Sequence, residues 1–316
     1  MEIAVVDYSD YISGDESRRN QFINDLGDSF SNIGFAIVKN HGVTKKLRDE
    51  LYDSCVEFFE KEDSIKTKYE IKGISGQRGY ISPGRETAKG ADIPDLKEFY
   101  HIGQEVSKDN HFNYPENVWP EETPNLKIHG LEVFQTFQNT GRDLLRAIAL
   151  YLDLEETYFD HKIEKGNSIL RLLHYFPQKN LENIPDGAVR AAAHEDINLI
   201  TLLMGGTAEG LQAKTKQGEW INVSPQPDEI VINVGDMLQR LTNGRLISTT
   251  HRVINPRKEM LHTSRYSTPF FLHPISEMDL TCLDSCISES NPKKFSDMTA
   301  GEYLTERLIE LGLVKK

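Results

Sequence analysis

The segment Arg190-Ala-Ala-Ala-His194-Glu195-Asp196 carries an imidazole and a carboxylate two residues apart. Residues i and i+2 of a β-strand point to the same face of a sheet, so on a strand His194 and Asp196 stand side by side. Such a pair can bind one metal ion. The H-x-D pattern alone arises often by chance, and an exposed His–Asp pair without a metal is the alternative interpretation.

His251 offers a third ligand several strands further along the chain, in the strand-like run 248–255. Two histidines and one carboxylate on one side of a metal form a facial triad. The triad leaves coordination positions open, enough for a bidentate cosubstrate and for oxygen. Zinc is an alternative metal, although a closed structural zinc site needs a fourth protein ligand.

Arg265 and Ser267 repeat the two-residue spacing on a later predicted strand. A guanidinium is a rigid fork that fits a carboxylate, and a hydroxyl adds one more donor. The pair therefore suits the far carboxylate of a short dicarboxylate bound near the metal. The alternative is a surface arginine in an ordinary ion pair.

Composition limits the class of protein that presents these residues. The chain has 316 residues, and 36 Lys and Arg against 49 Asp and Glu give a net charge of −13. This acidity argues against non-specific binding to nucleic acid or to anionic membranes. Three cysteines, none of them in a CxxC pair, argue against a disulfide framework or a structural zinc site. Neither a long apolar run nor a signal peptide is evident, so we expect no membrane partner and a cytoplasmic location.

Hydrophobic periodicity predicts a helical front half and a strand-rich back half within one domain. Helices are expected over 17–31, 47–59, about 126–152 and 302–313. Short apolar runs predict strands at 2–7, 34–42, 168–175, 198–204, 211–213, 220–223, 230–234, 246–254 and 264–272. Many short strands separated by turn signals favour a sandwich or barrel of jelly-roll type. The glycine-rich stretch 73–103 has no clear period and is expected to be a loop or a lid.

Taken in order along almost the whole chain, these motifs resemble the iron(II)- and 2-oxoglutarate-dependent oxygenases of the isopenicillin N synthase-like group. The segments that carry the resemblance are Ile3–Asp7, Gly34-Phe35, Asn40–Val43, Gly79-Tyr80, Asp95–Phe99, Asn117–Pro120, Arg190–Asp196, Gly210–Ala213, Gly218–Pro225, Asn233–Asp236, Leu241–Gly244, His251–Pro256 and Arg265–Phe271.

The resemblance implies a mainly β fold, a distorted double-stranded β-helix (jelly roll) with N-terminal helices and a C-terminal helix. It implies one catalytic domain over 1–316, with a helical region at 1–160, the jelly-roll core at 161–275 and a C-terminal extension at 276–316. It implies an oxidoreductase that hydroxylates, desaturates or cyclises a small molecule while 2-oxoglutarate is decarboxylated to succinate.

The resemblance also assigns roles to single residues. Fe(II) is expected on His194, Asp196 and His251, with 2-oxoglutarate and molecular oxygen as cosubstrates. The far carboxylate of 2-oxoglutarate is expected on Arg265 and Ser267. An early core strand often adds a Tyr or Asn. Here that strand contains His174-Tyr175-Phe176 in place of the Asn-x-Tyr common in plant members, and we expect Tyr175 to assist.

Two other functions are compatible with the same residues. One is an iron oxidase of the isopenicillin N synthase type that does not use 2-oxoglutarate. The other is a non-catalytic, metal-dependent binding protein, which an intact triad with an anchor does not favour. We expect a monomer, and the sequence does not identify the substrate.

Overall fold

The structure of the chain is a computed structural model. It describes residues 3–74, 76–84, 97–106, 114–177, 190–205, 210–255 and 262–310. Parts of the predictions for 2–7, 73–103 and 302–313 lie outside these residues, as do part of the 95–99 motif and Pro256.

Eight α-helices occur among the described residues, and the larger ones form where the apolar spacing predicts them. Asp15 caps the second helix by accepting a hydrogen bond from the backbone of Arg18, and Thr44 caps the third in the same way at Leu47. The helices are α1 (Tyr8–Ile12), α2 (Glu16–Asn32), α3 (Lys45–Phe59), α4 (Asp63–Lys66), α5 (Asn125–Tyr151), α6 (Asp160–Ile163), α7 (Asp236–Leu241) and α8 (Ala300–Glu310).

Twelve strands occur in the same described residues. They are β1 (Ala4–Asp7), β2 (Phe35–Lys39), β3 (Gly79–Ile81), β4 (Lys97–Gly103), β5 (Ile169–Tyr175), β6 (Ala191–His194), β7 (Ile200–Met204), β8 (Leu211–Lys214), β9 (Trp220–Asn222), β10 (Ile230–Val234), β11 (His251–Val253) and β12 (Arg265–Leu272). Eight form one sheet in the order β1-β2-β10-β7-β12-β5-β4-β3, and four form a second sheet in the order β6-β11-β8-β9.

The two sheets bury a small apolar core between them. Residues from β2 and β10 of the larger sheet pack there against residues from β6, β8 and β11 of the smaller one. Helix α5 packs on the other face of the larger sheet, against β4, β5, β7 and β12, and α2 and α3 pack on α5. The sandwich of a larger and a smaller sheet, flanked by helices, confirms the predicted jelly-roll class.

Three local predictions differ from the structure. The stretch 73–103 is not only loop, because β3 and β4 extend the larger sheet there. The strand expected over 246–254 is confined to 251–253. The strand expected to carry both His194 and Asp196 ends at His194. No helix among the described residues is long and apolar enough to cross a membrane.

Candidate active site

Strand pairing brings the three predicted metal ligands together. Strands β6 and β11 run antiparallel, with His194 directly opposite His251. Asp196 lies just beyond the end of β6. One ligand atom from each of the three residues lies within 4.8 Å of the other two. The Nε2 atoms of both histidines are 3.8 Å from Oδ1 of Asp196.

Backbone carbonyls fix the orientation of both imidazole rings. Nδ1 of His194 donates to the carbonyl of Ala192 at 2.7 Å, and Nδ1 of His251 donates to the carbonyl of Thr249 at 3.0 Å. Because a carbonyl oxygen only accepts, each Nδ1 carries a proton, and Nε2 is the ring nitrogen directed towards Asp196. This is the arrangement that metal-binding histidines adopt.

The carboxylate of Asp196 is oriented just as closely. Its Oδ2 atom accepts hydrogen bonds from the Thr201 hydroxyl at 2.6 Å and from the Asn233 amide at 2.8 Å. Oδ1 therefore remains directed at the two imidazoles and suits a single metal bond.

The protonation states also favour a cation. Desolvation raises the pKa of Asp196, but the nearby His251 and His194, with the hydrogen bonds from Asn233 and Thr201, outweigh it and hold the pKa below its ordinary value. Desolvation, and next the proximity of His251, lower the pKa of His194 to about 4. A neutral His194 imidazole beside the ionised Asp196 carboxylate is ready to bind a metal at neutral pH.

A close backbone contact holds the loop that carries Asp196. The backbone N–H of Asp236 donates to the carbonyl of Asp196 at 2.7 Å, and that of Gly235 donates to Leu199 at 2.9 Å. A Cβ atom at position 235 would lie 2.1 Å from the carbonyl oxygen of Asn198, so only glycine fits there. The turn at Gly235 thus fixes the position of the carboxylate ligand.

The predicted cosubstrate residues lie on one face of the larger sheet. Arg265 is opposite Tyr175 in the pairing of β12 with β5, and Ser267 shares the face of Arg265 two residues later. The Arg265 guanidinium carbon lies 5.1 Å from the centre of the Tyr175 ring, and both side chains are buried. Further along the same face of β12, Phe271 is opposite Thr201, whose hydroxyl binds Asp196. The predicted anchor residues therefore share a face of the sheet with Thr201, which contacts the predicted metal ligand Asp196.

Sequence reasoning missed several residues of this surface. Thr201 and Asn233 support the carboxylate, yet neither has a spacing that marks it in a single sequence. Arg171 was also missed. Its guanidinium carbon lies 4.4 Å from the ring centre of Phe99 and 5.3 Å from that of Phe271, and its Nε donates to Nε2 of His101 at 2.6 Å.

The donor set fits Fe(II). Two neutral imidazoles and one monodentate carboxylate on one side of a metal are the ligands of non-haem iron(II) oxygenases. Within the described part of the chain this is the one group of three or more such side chains placed to share an ion. Among those same residues we find no fourth protein ligand of the kind that a closed structural zinc site needs.

Comparison with known proteins supports the same conclusion. Residues 166–274 match the model of the 2OG-Fe(II) oxygenase superfamily, and residues 3–122 match that of the non-haem dioxygenase in morphine synthesis N-terminal domain. A crystal structure ascribed to the 2OG-Fe(II) oxygenase family, from Caulobacter crescentus, is 42% identical over 98% of this chain and 99% of that chain, with a TM-score of 0.88. This chain belongs to the 2OG-Fe(II) oxygenase superfamily.

Two further members of the superfamily bear on the cosubstrate. A full-length Neurospora crassa protein, crystallised in complex with alpha-KG (2-oxoglutarate), is 31% identical over 96% of this chain and 95% of that chain, with a TM-score of 0.86. The 2-oxoglutarate-Fe(II) type oxidoreductase hxnY of Emericella nidulans is 28% identical over 95% of this chain and 88% of that protein.

The predicted enzyme class is thereby confirmed. The protein is an Fe(II)- and 2-oxoglutarate-dependent dioxygenase that oxidises a small-molecule substrate and converts 2-oxoglutarate to succinate. The two alternatives, an oxidase without 2-oxoglutarate and a non-catalytic binding protein, are not favoured by these comparisons.

Proposed function

We propose that His194, Asp196 and His251 bind the catalytic Fe(II). The observation that carries this assignment is the convergence of one ring nitrogen from each histidine and one carboxylate oxygen within 4.8 Å. Bound iron, with 2-oxoglutarate and oxygen, supplies the oxidising chemistry. The protein's part is to fix the three ligands on one side of the metal and to leave the opposite side open to cosubstrates.

We propose that Arg265 and Ser267 bind the far carboxylate of 2-oxoglutarate and that Tyr175 assists. Arg265 is only 3% exposed, so a carboxylate that reaches it exchanges water for a charge-assisted pair in a place of low dielectric. The shared face of β12 directs these side chains towards the surface that carries the metal ligands.

We propose that the substrate binds near Arg171, on the same face of the larger sheet. The Arg171 guanidinium lies close to the rings of both Phe99 and Phe271, and Phe271 is opposite Thr201, which contacts Asp196. Aromatic side chains with a charged group among them are a lining typical of small-molecule sites. The Neurospora crassa relative has also been crystallised with thymine, a molecule of this kind.

We also propose that residues 1–316 form a single catalytic domain, with boundaries at 160 and 275 between its three parts. Pairing of β2 with β10, and of β4 with β5, supports this, because it joins strands of the front part to strands of the core.

We propose a monomeric, cytoplasmic enzyme without a nucleic-acid partner. Light scattering of the purified protein tests the monomer, and a mass of twice 36.0 kDa would contradict it.

An anaerobic titration tests the metal and cosubstrate assignments together. Wild-type protein given Fe(II) and then 2-oxoglutarate should develop the weak visible charge-transfer band of a chelated 2-oxo acid, and His194→Ala should not. Arg265→Ala should still bind Fe(II) but need much more 2-oxoglutarate. Loss of one member of a buried charged pair costs about 2–5 kcal/mol, which is well over tenfold in affinity. An unchanged 2-oxoglutarate requirement would exclude Arg265 as the anchor.

A further inference from the structure

Arg190 is a buried cation outside the residues assigned above. It lies just before β6 and is only 5% exposed. Its terminal nitrogens Nη1 and Nη2 are buried, and neither meets a hydrogen-bond acceptor in the residues described. Burying a guanidinium away from water without hydrogen-bond acceptors costs free energy. We therefore expect such a group in a native protein to bind a partner from outside the chain.

Arg190 shares an aromatic ring with the proposed anchor. Its guanidinium carbon lies 5.8 Å from the ring centre of Tyr175, and that of Arg265 lies 5.1 Å from the same point. The two guanidinium groups are therefore neighbours on one phenol ring. Burial, and next the charge of Arg265, lower the pKa of Arg190 to about 10, so Arg190 remains cationic at neutral pH.

Arg146 is an arginine of the same chain with a structural role, and it serves as a comparison for Arg190. On α5, its guanidinium binds Asp160 at 2.6 Å and Asp143 at 3.2 Å. Arg190 has no such carboxylate among its described neighbours and lies beside a second cation instead. Two buried like charges repel each other unless an anion lies between them. A carboxylate is suited to that place, because its two oxygens offer about four acceptor sites and can accept from both guanidinium forks.

We propose that Arg190 is a second binding residue for the far carboxylate of 2-oxoglutarate, acting together with Arg265 beside the Tyr175 ring. The inference rests on the proposed function, because it places the cosubstrate at Arg265. It makes the site selective for dicarboxylates, since a 2-oxo acid without the far carboxylate brings no anion to Arg190. Arg190 also lies four residues before His194, so anion binding there would steady the segment that carries one metal ligand.

Calorimetry on anaerobic, Fe(II)-loaded protein tests this with two probes, 2-oxoglutarate and 2-oxobutyrate, which lacks the far carboxylate. Arg190→Met should weaken binding of 2-oxoglutarate at least about tenfold and leave binding of 2-oxobutyrate unchanged. Ligand-free Arg190→Met should melt at the wild-type temperature or above it, because the substitution removes an uncompensated buried charge. The matched control Arg146→Met should melt lower and keep the wild-type affinity for 2-oxoglutarate.

Each other outcome has a distinct meaning. If wild-type protein does not bind 2-oxoglutarate, the proposed function fails before the question of Arg190 arises. If wild type binds and Arg190→Met binds equally well, Arg190 is not part of the cosubstrate site. Equal losses for both probes with a lower melting temperature would show a structural arginine and overturn the inference. Should Arg190→Met not fold, Arg190→Lys replaces it, and the inference then requires a 2-oxoglutarate affinity below that of wild type with unchanged 2-oxobutyrate binding.

Discussion

Two clusters that join histidine to a buried carboxylate lie in the described part of this protein, and only one of them is suited to bind a metal. The first is the His194, Asp196 and His251 site. The second surrounds Glu98, whose neighbour across the β4–β5 pairing is His174. Because side chains alternate along a strand, His174 points to the face of the larger sheet opposite to that of Tyr175 and the cosubstrate residues.

The carboxylate of Glu98 is balanced entirely by the protein. Lys66 binds Oε2 through its Nζ at 2.8 Å, and the Tyr80 hydroxyl donates to the same oxygen at 2.5 Å. Nδ1 of His174 binds Oε1 at 2.7 Å, and the other ring nitrogen meets the Ser264 hydroxyl at 3.0 Å. Both carboxylate oxygens of Glu98 therefore have partners in the protein, and one of these partners, Lys66, is a cation.

The carboxylate of Asp196 receives no cation from its described neighbours. Its two donors both bind Oδ2, and the imidazoles stand 3.8 Å from Oδ1, which is beyond hydrogen-bond range. The balancing charge has to come from solution. The position of the balancing cation therefore separates a metal site from a structural cluster built of the same residue types.

Removing Asp196 should have the largest effect. Asp196→Ala deletes the one anionic ligand, so Fe(II) binding and succinate formation should fall by more than the roughly 10–100-fold typical of losing an outer partner of a ligand. The control is Glu195→Ala, which removes the adjacent exposed carboxylate that binds Thr250 and should keep wild-type activity. Succinate formation by Asp196→Ala at the wild-type rate would break the assignment of the metal site.

Glu98→Leu should give the opposite pattern, with stability lost and metal binding kept. Lys66, whose side chain is 6% exposed, would lose its buried partner, and breaking a buried pair costs about 3–5 kcal/mol. Denaturant unfolding measures the free energy of unfolding, and metal titration of the folded variant measures Fe(II) affinity. Loss of Fe(II) binding in a stably folded Glu98→Leu protein would remove the distinction between the two clusters.

The sequence predicted which side chains converge better than it predicted their surroundings. The pairs His194–Asp196 and Arg265–Ser267 come from two-residue spacings, and His251 comes from a later strand-like run. The structure brings His194, Asp196 and His251 together. The two-residue spacing accounts for the position of Asp196 only in part, because β6 ends at His194 and the carboxylate is positioned by the turn at Gly235. A spacing argument cannot detect a backbone contact made from another strand.

The Glu98 cluster was not predictable from spacing at all. Lys66, Tyr80, Glu98 and His174 come from separate elements and meet only after the larger sheet is assembled. The two strands that supply Tyr80 and Glu98 lie in the stretch expected to be a loop or a lid. Glycines there obscured the strand pattern, although pairing with β5 makes β4 a buried strand of the sheet.

Thr201→Val should have a smaller effect at the metal site. The variant keeps the side-chain shape and removes the hydroxyl that binds Oδ2 of Asp196 at 2.6 Å. Loss of such an outer partner typically weakens metal binding about 10–100-fold, so Fe(II) should still bind, but less tightly. Thr242→Val is the control, because its hydroxyl binds the carbonyl of Leu238 within α7. Equal Fe(II) affinities for Thr201→Val and wild type would show that Asn233 alone orients the carboxylate.

The smallest expected effect is a difference in how stability depends on pH. Burial raises the pKa of Glu98, but the hydrogen bonds from His174, Lys66 and Tyr80 outweigh it and place the folded-state pKa below the ordinary value of 4.5. The unfolded chain therefore binds this proton more readily than the folded protein does. The stabilisation from Glu98 is fully present above pH 4.5 and is lost as the pH falls through the lower folded-state pKa.

Measured from pH 7 down to pH 3, the gap in unfolding free energy between wild type and Glu98→Gln should stay constant and then narrow. Subtracting the variant's unfolding free energy at each pH removes the contribution of the other carboxylates. A difference that widens in acid would mean that Glu98 is protonated in the folded protein and that Lys66 does not balance its charge.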